Sequence, residues 1–592
     1  MRMRRFALVT IAAVAILGIL SLVLVKGRRP IPQYVFLICL DAVRPDHLSC
    51  YGYTRNTTPG IDRLADKGVL FEDAVSQAPW TTASIATIMS STFPCQHGAR
   101  RTEGSRVPYQ GLTGDFISTL GSLGYQTALF TGGIAIKDKV PARELTEAAS
   151  KWLKENRDKK CCVVIHDYET HSPYVATPDC VEALDPGYQG PFKYSFGDLD
   201  LLKKARVGML GDVLNLTASD LRHIEALYDC QIVRSDAAVG AFLDSLGAWG
   251  CLKRSMVILF SDHGEEFLEH GSIDHGQTVY DESIRVPLVV YCPALTTKAK
   301  RIDSQVGLID LAPTIFDALG IERPATFEGV SFAPLISARF KRSGETTRPC
   351  GLPVTCLVAE SIARRSEKKA LRCPPWKLIF DPFFGAVELY NLADDPHEGR
   401  NIIDANPEKT ASLTQTLLVM EKYYPGGWCI AWRAEGGKVR GKVTVDTSII
   451  EAAAHNFFPD IDPETDSLVT SADWKTVRFS TTGGAAWRGL EVRMAGRANA
   501  TFALRTTGRD AQRPAGLQAA IGATGETSGF PITLSPDRAR VERKDLRDLF
   551  KRADVEAWNY LVFWLEPGSE PAAKAQKDKE LRRQLKAIGY LE

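Results

Sequence analysis

YVFLICLD (34–41), CCVVIHD (161–167) and SMVILFSDHG (255–264) share one form: a run of β-branched and apolar residues that stops at an aspartate. Runs of this length rich in Val and Ile read as strands buried on both faces, and open α/β sheets place their sites at the carboxyl ends of strands. Asp41, Asp167 and Asp262 are therefore expected on one crevice. Around them, helical patterns alternate with further apolar runs: IDRLADKG (61–68), GDFISTLGSLG (114–124) before YQTALFTGG (125–133), and ELTEAASKWLKENRDKK (144–160) before CCVVIHD. A long apolar-periodic region (220–250) feeds SMVILFSD, and VPLVVYCP (286–293) adds a strand. This alternation predicts an α/β domain, a mainly parallel sheet flanked by helices, over residues 34–423.

The rest of the chain has a different texture. Short period-2 runs such as GKVTVDTS (441–448), KTVRFSTT (475–482), ATFALRTT (500–507) and NYLVFWLEP (559–567) predict a C-terminal β-rich accessory domain, a sandwich, over 424–567, with a charged helical tail at 568–592. At the other end, Phe6 to Val25 is apolar or small throughout, and as a helix it would span roughly 30 Å, one hydrocarbon core. Arginines precede it and Lys26, Arg28 and Arg29 follow, with no A-x-A-like cleavage site. Residues 1–33 are read as a single-pass membrane anchor and juxtamembrane linker, with the catalytic body extracytoplasmic.

Composition narrows the partners. A chain of 592 residues is too long for one compact core, and a net charge of +1 leaves no polyelectrolyte footprint, so nucleic acid is not expected. Thirteen cysteines form no C-x-x-C pair; Cys350, Cys356 and Cys373 cluster where a bridge would form in an oxidising compartment.

The chemistry is expected in the first domain. Thr81 opens a helical segment, TTASIATIMSS (81–91), where a hydroxyl ordinarily serves as an N-cap. It also stands where an alkoxide could form and carry an anionic ester, given a metal. Asp41, Asp262 and His263 would supply an O/O/N shell for one divalent ion beside Thr81, with Gly264 permitting the turn that brings neighbouring residues to one ion. Asp167, His171 and His275 would make a second site suited to zinc. The other histidines, His166 and His270 among them, are read as satisfied polar residues, His270 being the rival to His275. Lys137 and Lys139 are read as solvated, with substrate contact as the alternative.

LDAVRPDHLSCYGYTRNTTPGIDRLADKGVLFEDAVSQAPWTTASIATIMSS (40–91), HDYETHSPY (166–174), FSDHGEEFLEHG (260–271), YDESIRVPLVVY (280–291) and WKLIFD with ELYNLADDPHEGRNI (376–402) together resemble, in this order, the sulfatase family of the alkaline phosphatase superfamily. The resemblance implies an alkaline-phosphatase-like fold and a metal-dependent ester hydrolase or transferase. Three departures stand out. Thr81 occupies the place of the Cys or Ser that sulfatases mature to formylglycine, Ala42 follows Asp41 where the family pairs two acids, and His275 stands where a lysine is usual. These resemble the threonine-using phosphodiesterase and phosphotransferase branches. They imply cleavage or transfer of a phosphate mono- or diester through a phosphothreonine, with two divalent ions: zinc first, manganese second, a single calcium third. Sulfate ester hydrolysis without formylglycine is the alternative, and a catalytically silent binding module a further one. The expected substrate is a small-molecule, lipid or glycan ester.

Overall fold

The computed structural model describes residues 31–432, outside short stretches at 100, 103–104, 107–115, 133–138, 198–215, 297, 341–343, 361–366, 385, 418 and 421–426, and beyond them the strands named below with their adjoining turns. The anchor expected at Phe6 to Val25 and the tail at 568–592 lie outside the described residues. Among those described, no helix is long and apolar enough to cross a membrane.

The central sheet comprises β1 (Tyr34–Leu40), β2 (Val69–Val75), β3 (Gln126–Thr131), β4 (Cys161–Asp167), β5 (Ser255–Phe260), β6 (Arg285–Tyr291), β7 (Lys300–Ile302) and β8 (Val306–Gly307). Their order is β7-β2-β6-β5-β1-β4-β3, with β8 also pairing with β2. The three strands that end in aspartate are thus neighbours at the centre, parallel, with Cys39 opposite both His166 and Phe260. One element departs from the expected parallel run: β6 is antiparallel to both β5 and β2.

Every residue of β1, β4 and β5 is buried, because helices cover both faces. These are α1 (Pro59–Ala65), α2 (Thr81–Ser90), α3 (Ala142–Glu155), α4 (Ala218–Ala248) and α5 (Leu311–Leu319). Strand alternation divides the apolar side chains into two cores. Leu37, Cys39, Val164, Ile258 and Phe260 pack with residues of α2 and α5. Phe36, Ile38, Val163, Ile165 and Leu259 pack with residues of α1, α3 and α4. Each buried Val, Leu or Ile contributes about 1.5–3 kcal/mol, so the phase of a strand is strongly fixed. The 31-residue α4 begins at a capping box, in which the Thr217 hydroxyl accepts from the Asp220 N–H and the Asp220 carboxylate accepts from the Thr217 N–H. A disulfide, Cys180–Cys230, ties the short helix Pro178–Leu184 to it.

A four-stranded antiparallel sheet follows: β9 (Leu357–Ala359), β10 (Lys369–Cys373), β11 (Trp376–Phe380) and β12 (Val387–Asn391). Of the clustered cysteines, Cys356 and Cys373 bridge and Cys350 is free. Buried charges join this sheet to the first. Arg372 pairs with Asp73 of β2 at 2.7 Å and with Asp281 at 2.8 Å, and the fully buried Lys377 bridges Asp281 and Glu398 at 2.8 Å each. Farther on lie two five-stranded sheets. One orders Ile449–His455, Arg488–Met494, Gly427–Trp432, Tyr560–Leu565 and Arg540–Val541; the other orders Ser467–Thr470, Thr476–Thr482, Lys438–Val445, Ala500–Thr507 and Ile532–Leu534.

Removing one member of a buried ion cluster leaves a charge uncompensated, at a cost of about 3–5 kcal/mol. Lys377→Met is expected to lower the urea midpoint by that amount of stability, and an unchanged midpoint would show that the cluster does not hold the two sheets together.

Candidate active site

Asp41, His166 and Asp262 continue one phase of their strands. Asp41 follows Leu37 and Cys39, His166 follows Cys162 and Val164, and Asp262 follows Ile258 and Phe260, all on the face covered by α2. Thr81 is the first residue of α2. Trp80, not Thr81, is the N-cap, so the Thr81 hydroxyl is not spent on capping. It donates to Asp41 Oδ2 at 3.3 Å and lies 3.2 Å from His263 Nε2. His166 Nε2 is 3.2 Å from Asp41 Oδ2 and 4.0 Å from Asp262 Oδ2. His263 Nε2 is 3.8 Å from Asp41 Oδ1 and 3.6 Å from Asp262 Oδ2. The structure thus gathers Asp41, Thr81, Asp262 and His263, and adds His166.

Local backbone contacts hold this cluster. Ser84 of α2 donates to the Asp262 carbonyl at 2.6 Å, tying the helix to the end of β5. Ala42 takes a left-handed φ of 58°, uncommon for a residue with a Cβ, while Tyr228 donates to its carbonyl at 2.7 Å and Thr170 donates to the Asp41 carbonyl. Gly264 serves a different purpose from the one expected. Its φ is not left-handed; a Cβ there would sit 1.9 Å from the Glu282 carbonyl oxygen.

Asp41 and Asp262 are wholly buried, and Asp41 Oδ1 and Asp262 Oδ2 have no hydrogen-bond partner. Buried carboxylate oxygens left bare are costly unless a cation faces them, so this donor set fits a divalent ion. Burial opposes the charge on Asp41, but His166, His171 and His263 hold its carboxyl well below the usual range. Burial and the neighbouring Asp41 charge push Asp262 up.

Of the expected second set, the structure assembles only part. The His275 ring lies 4.4 Å from that of His263 and 4.8 Å from that of His171. Its Nδ1 is 3.1 Å from both Glu265 Oε1 and Asp274 Oδ1. Those acids are themselves anchored, by Tyr174 donating to Glu265 at 2.8 Å and Ser172 donating to Asp274 at 3.0 Å. Burial would lower the His275 pKa, but Asp274 and Glu265 outweigh it and push it up to about 10. His171 goes the other way, burial bringing it down to about 3 against the partial pull of Asp41. Asp167 is absent from this group. It has the opposite phase to His166, faces α4, accepts from the Ser235 hydroxyl at 2.6 Å and the Glu169 N–H at 2.9 Å, and is pushed up to about 6 by burial. The structure therefore does not bring Asp167 together with His171 and His275; the acids beside His275 are Glu265 and Asp274.

Other expectations resolve individually. His270 pairs with Glu282 at 2.6 Å and stacks on Tyr280. Lys139 is not a solvated lysine: it donates to the carbonyls of His171 and Pro173, and burial brings it down to about 8. Lys137 lies outside the described residues. His166, Glu265 and Asp274 were not singled out by motif; the phase of β4 would have indicated the first.

Known proteins match parts of this chain. The sequence profile described as Sulfatase matches residues 33–136 and 131–321, and that described as N-sulphoglucosamine sulphohydrolase, C-terminal, matches 268–422. Arylsulfatase K of Bos taurus is 30% identical over 209 residues, 35% of this chain and 38% of that protein, so the chain spans well under half of that relative. N-acetylglucosamine-6-O-sulfatase of Bacteroides thetaiotaomicron is 23% identical over 500 residues, 67% of this chain and 88% of that protein. Among solved structures, one captured with its substrate D-glucosamine-2-N,6-O-disulfate has a TM-score of 0.52 at 18% identity, covering 66% of this chain and 98% of its own. The phosphonate monoester hydrolase of Agrobacterium radiobacter has a TM-score of 0.51 at 18% identity, covering 66% and 95%. At these identities the structural likeness is one of fold.

Asp167→Asn is expected to retain bound metal, measured by elemental analysis, whereas Asp262→Asn is expected to lose it. Folding raises Asp167 from 3.8 to about 6, so the stability linked to its proton is complete below 3.8 and is lost as pH rises to about 6. The Asn variant should therefore gain stability relative to wild type across that interval in denaturation curves, with a constant difference above it. A difference flat with pH would rule out this assignment.

Proposed function

The chain belongs to the sulfatase family, and from that premise we propose that it hydrolyses a sulfate ester in the crevice of Asp41, Thr81, Asp262 and His263. The observation that carries this reading is the pair of bare, buried carboxylate oxygens beside an uncapped helix-terminal hydroxyl. The names of the relatives, an arylsulfatase and an N-acetylglucosamine-6-O-sulfatase, support a sulfate ester on a small molecule or glycan.

Asp41, Asp262 and His263 would hold a divalent ion, which when bound supplies positive charge for the ester oxygens and eases ionisation of the nearby hydroxyl. The chain's own groups account for the remaining steps. Thr81 Oγ, oriented by its hydrogen bond to Asp41 Oδ2, loses its proton to water and attacks sulfur. The S–O bond to the alcohol breaks on the opposite side, and the departing oxygen takes a proton from His275, which Glu265 and Asp274 hold as a cation. Water then attacks the sulfothreonine and the S–O bond to Thr81 breaks; of the two protons the water gives up, one returns to Thr81 and the other restores His275 as sulfate leaves.

Phosphate transfer is the second reading, and Thr81 itself is the observation that favours it, since threonine is a phosphoryl acceptor that cannot become formylglycine. It loses weight because the expected two-zinc arrangement required Asp167, which faces α4 instead. The disulfides Cys180–Cys230 and Cys356–Cys373 support an oxidising compartment, in keeping with an extracytoplasmic body on the apolar segment Phe6 to Val25. Within this proposal residues 34–423 form the catalytic domain and 424–567 an accessory domain.

Paired assays on aryl sulfate and aryl phosphate esters test the choice. Sulfate turnover is expected to exceed phosphate turnover, with Thr81→Ser active and Thr81→Ala lowered by at least about 100-fold in kcat/KM. Dominant phosphate turnover would replace the first reading by the second, and full activity in Thr81→Ala would remove Thr81 as nucleophile.

A further inference from the structure

His166 is not needed for the ester chemistry just described, yet it lies at the centre of the crevice. It is 1% exposed, its ring stacks on Tyr168 at 4.4 Å and 20°, and its Nε2 approaches Asp41 and Asp262. Two sets of ligand-type atoms each gather within 4.8 Å, Asp41 with Asp262 and His263, and His166 with Asp262 and Cys39. They share Asp262, and the two bare oxygens, Asp41 Oδ1 and Asp262 Oδ2, belong to this one nest.

We propose that the cation of this crevice is held by two carboxylates and two imidazoles, Asp41, Asp262, His263 and His166, a set that selects a borderline first-row ion such as zinc over calcium. The proposal rests on the reading of the crevice as a metal-dependent site and deepens it. Calcium takes six to eight oxygen ligands, whereas these side chains offer two carboxylates and the Thr81 hydroxyl. Imidazole nitrogen suits zinc and its neighbours, and four such ligands match the low coordination number zinc accepts. The stack on Tyr168 fixes the plane of the His166 ring. Alternation on β4 places His166, and not Asp167, on this face. Cys39 lies two residues before Asp41 on the same face and is the competing donor.

X-ray absorption on the zinc-loaded full chain reads the ligand set directly. Two imidazole scatterers with the remainder oxygen are expected. One imidazole, or a sulfur scatterer from Cys39, would overturn the proposal, as would calcium displacing zinc in competition at equal concentration. His166→Ala and His166→Gln are each expected to show one imidazole and to weaken zinc by more than the roughly 10–100-fold typical of an outer hydrogen-bonding partner. A smaller loss with the imidazole count unchanged would make His166 a positioning residue only. The wild-type spectrum needs no variant to fold. Two imidazoles with no turnover of either aryl ester would sink the proposed activity and leave the ligand set standing; turnover with one imidazole would do the reverse.

Discussion

Two carboxylates buried side by side, each with one oxygen that accepts no hydrogen bond, are the constraint around which this molecule is arranged. Asp41 and Asp262 stand at the ends of neighbouring parallel strands, so the sheet that creates the hydrophobic cores also forces like charges together. Such a pair is unfavourable in a low-dielectric interior unless positive charge or hydrogen-bond donors answer it. The surroundings supply both: imidazoles from β4 and from the turn after β5, and the hydroxyl at the positive end of α2. Thr81 does not cap its helix because its partner lies across the crevice. The same pairing of like charges that is unfavourable on its own is what a cation and an anionic ester would exploit.

Much of this was legible in the residues, and the exceptions have a single cause. The runs ending at Asp41, Asp167 and Asp262 announce central strands because burial on both faces leaves no polar position, and their adjacency follows from the α/β pattern. Uniform burial, however, hides the phase. In an alternating strand the polar residues would have shown which side Asp167 takes; in CCVVIHD both sides are apolar until the last two positions. Counting back from His166 to Val164 and Cys162, and from Asp262 to Phe260 and Ile258, recovers the answer, since all of these face α2. The direction of β6 was hidden for the same reason: VPLVVY reads alike in either orientation, and only the chain path makes it antiparallel. Glu265 and Asp274 were illegible because their role is to hold His275, and no spacing marks a carboxylate that acts through a neighbour.

The smaller antiparallel sheet is more than an appendage. Arg372 and Lys377 reach from it to Asp73 of β2 and to Asp281, just past the loop that carries His275. Glu398, whose carboxylate accepts from the Asp281 N–H at 2.7 Å while its carbonyl meets His270, completes the contact. Residues of the second sheet, far downstream in the chain, thus brace one wall of the crevice.

The zipped base of that wall has a consequence of its own. The N–H groups of Gly264 and Glu265 bond to the carbonyls of Ser283 and Glu282, each at 2.9 Å, and Gly264 is there because no Cβ fits against Glu282. The excursion from 265 to 282 therefore leaves and re-enters the scaffold at nearly one point, as a closed loop. Within it Phe267 and Ile273 pack into the core beside Tyr174 and Tyr228, so His275 and its two acids are presented on a loop held by its interior as well as at its neck.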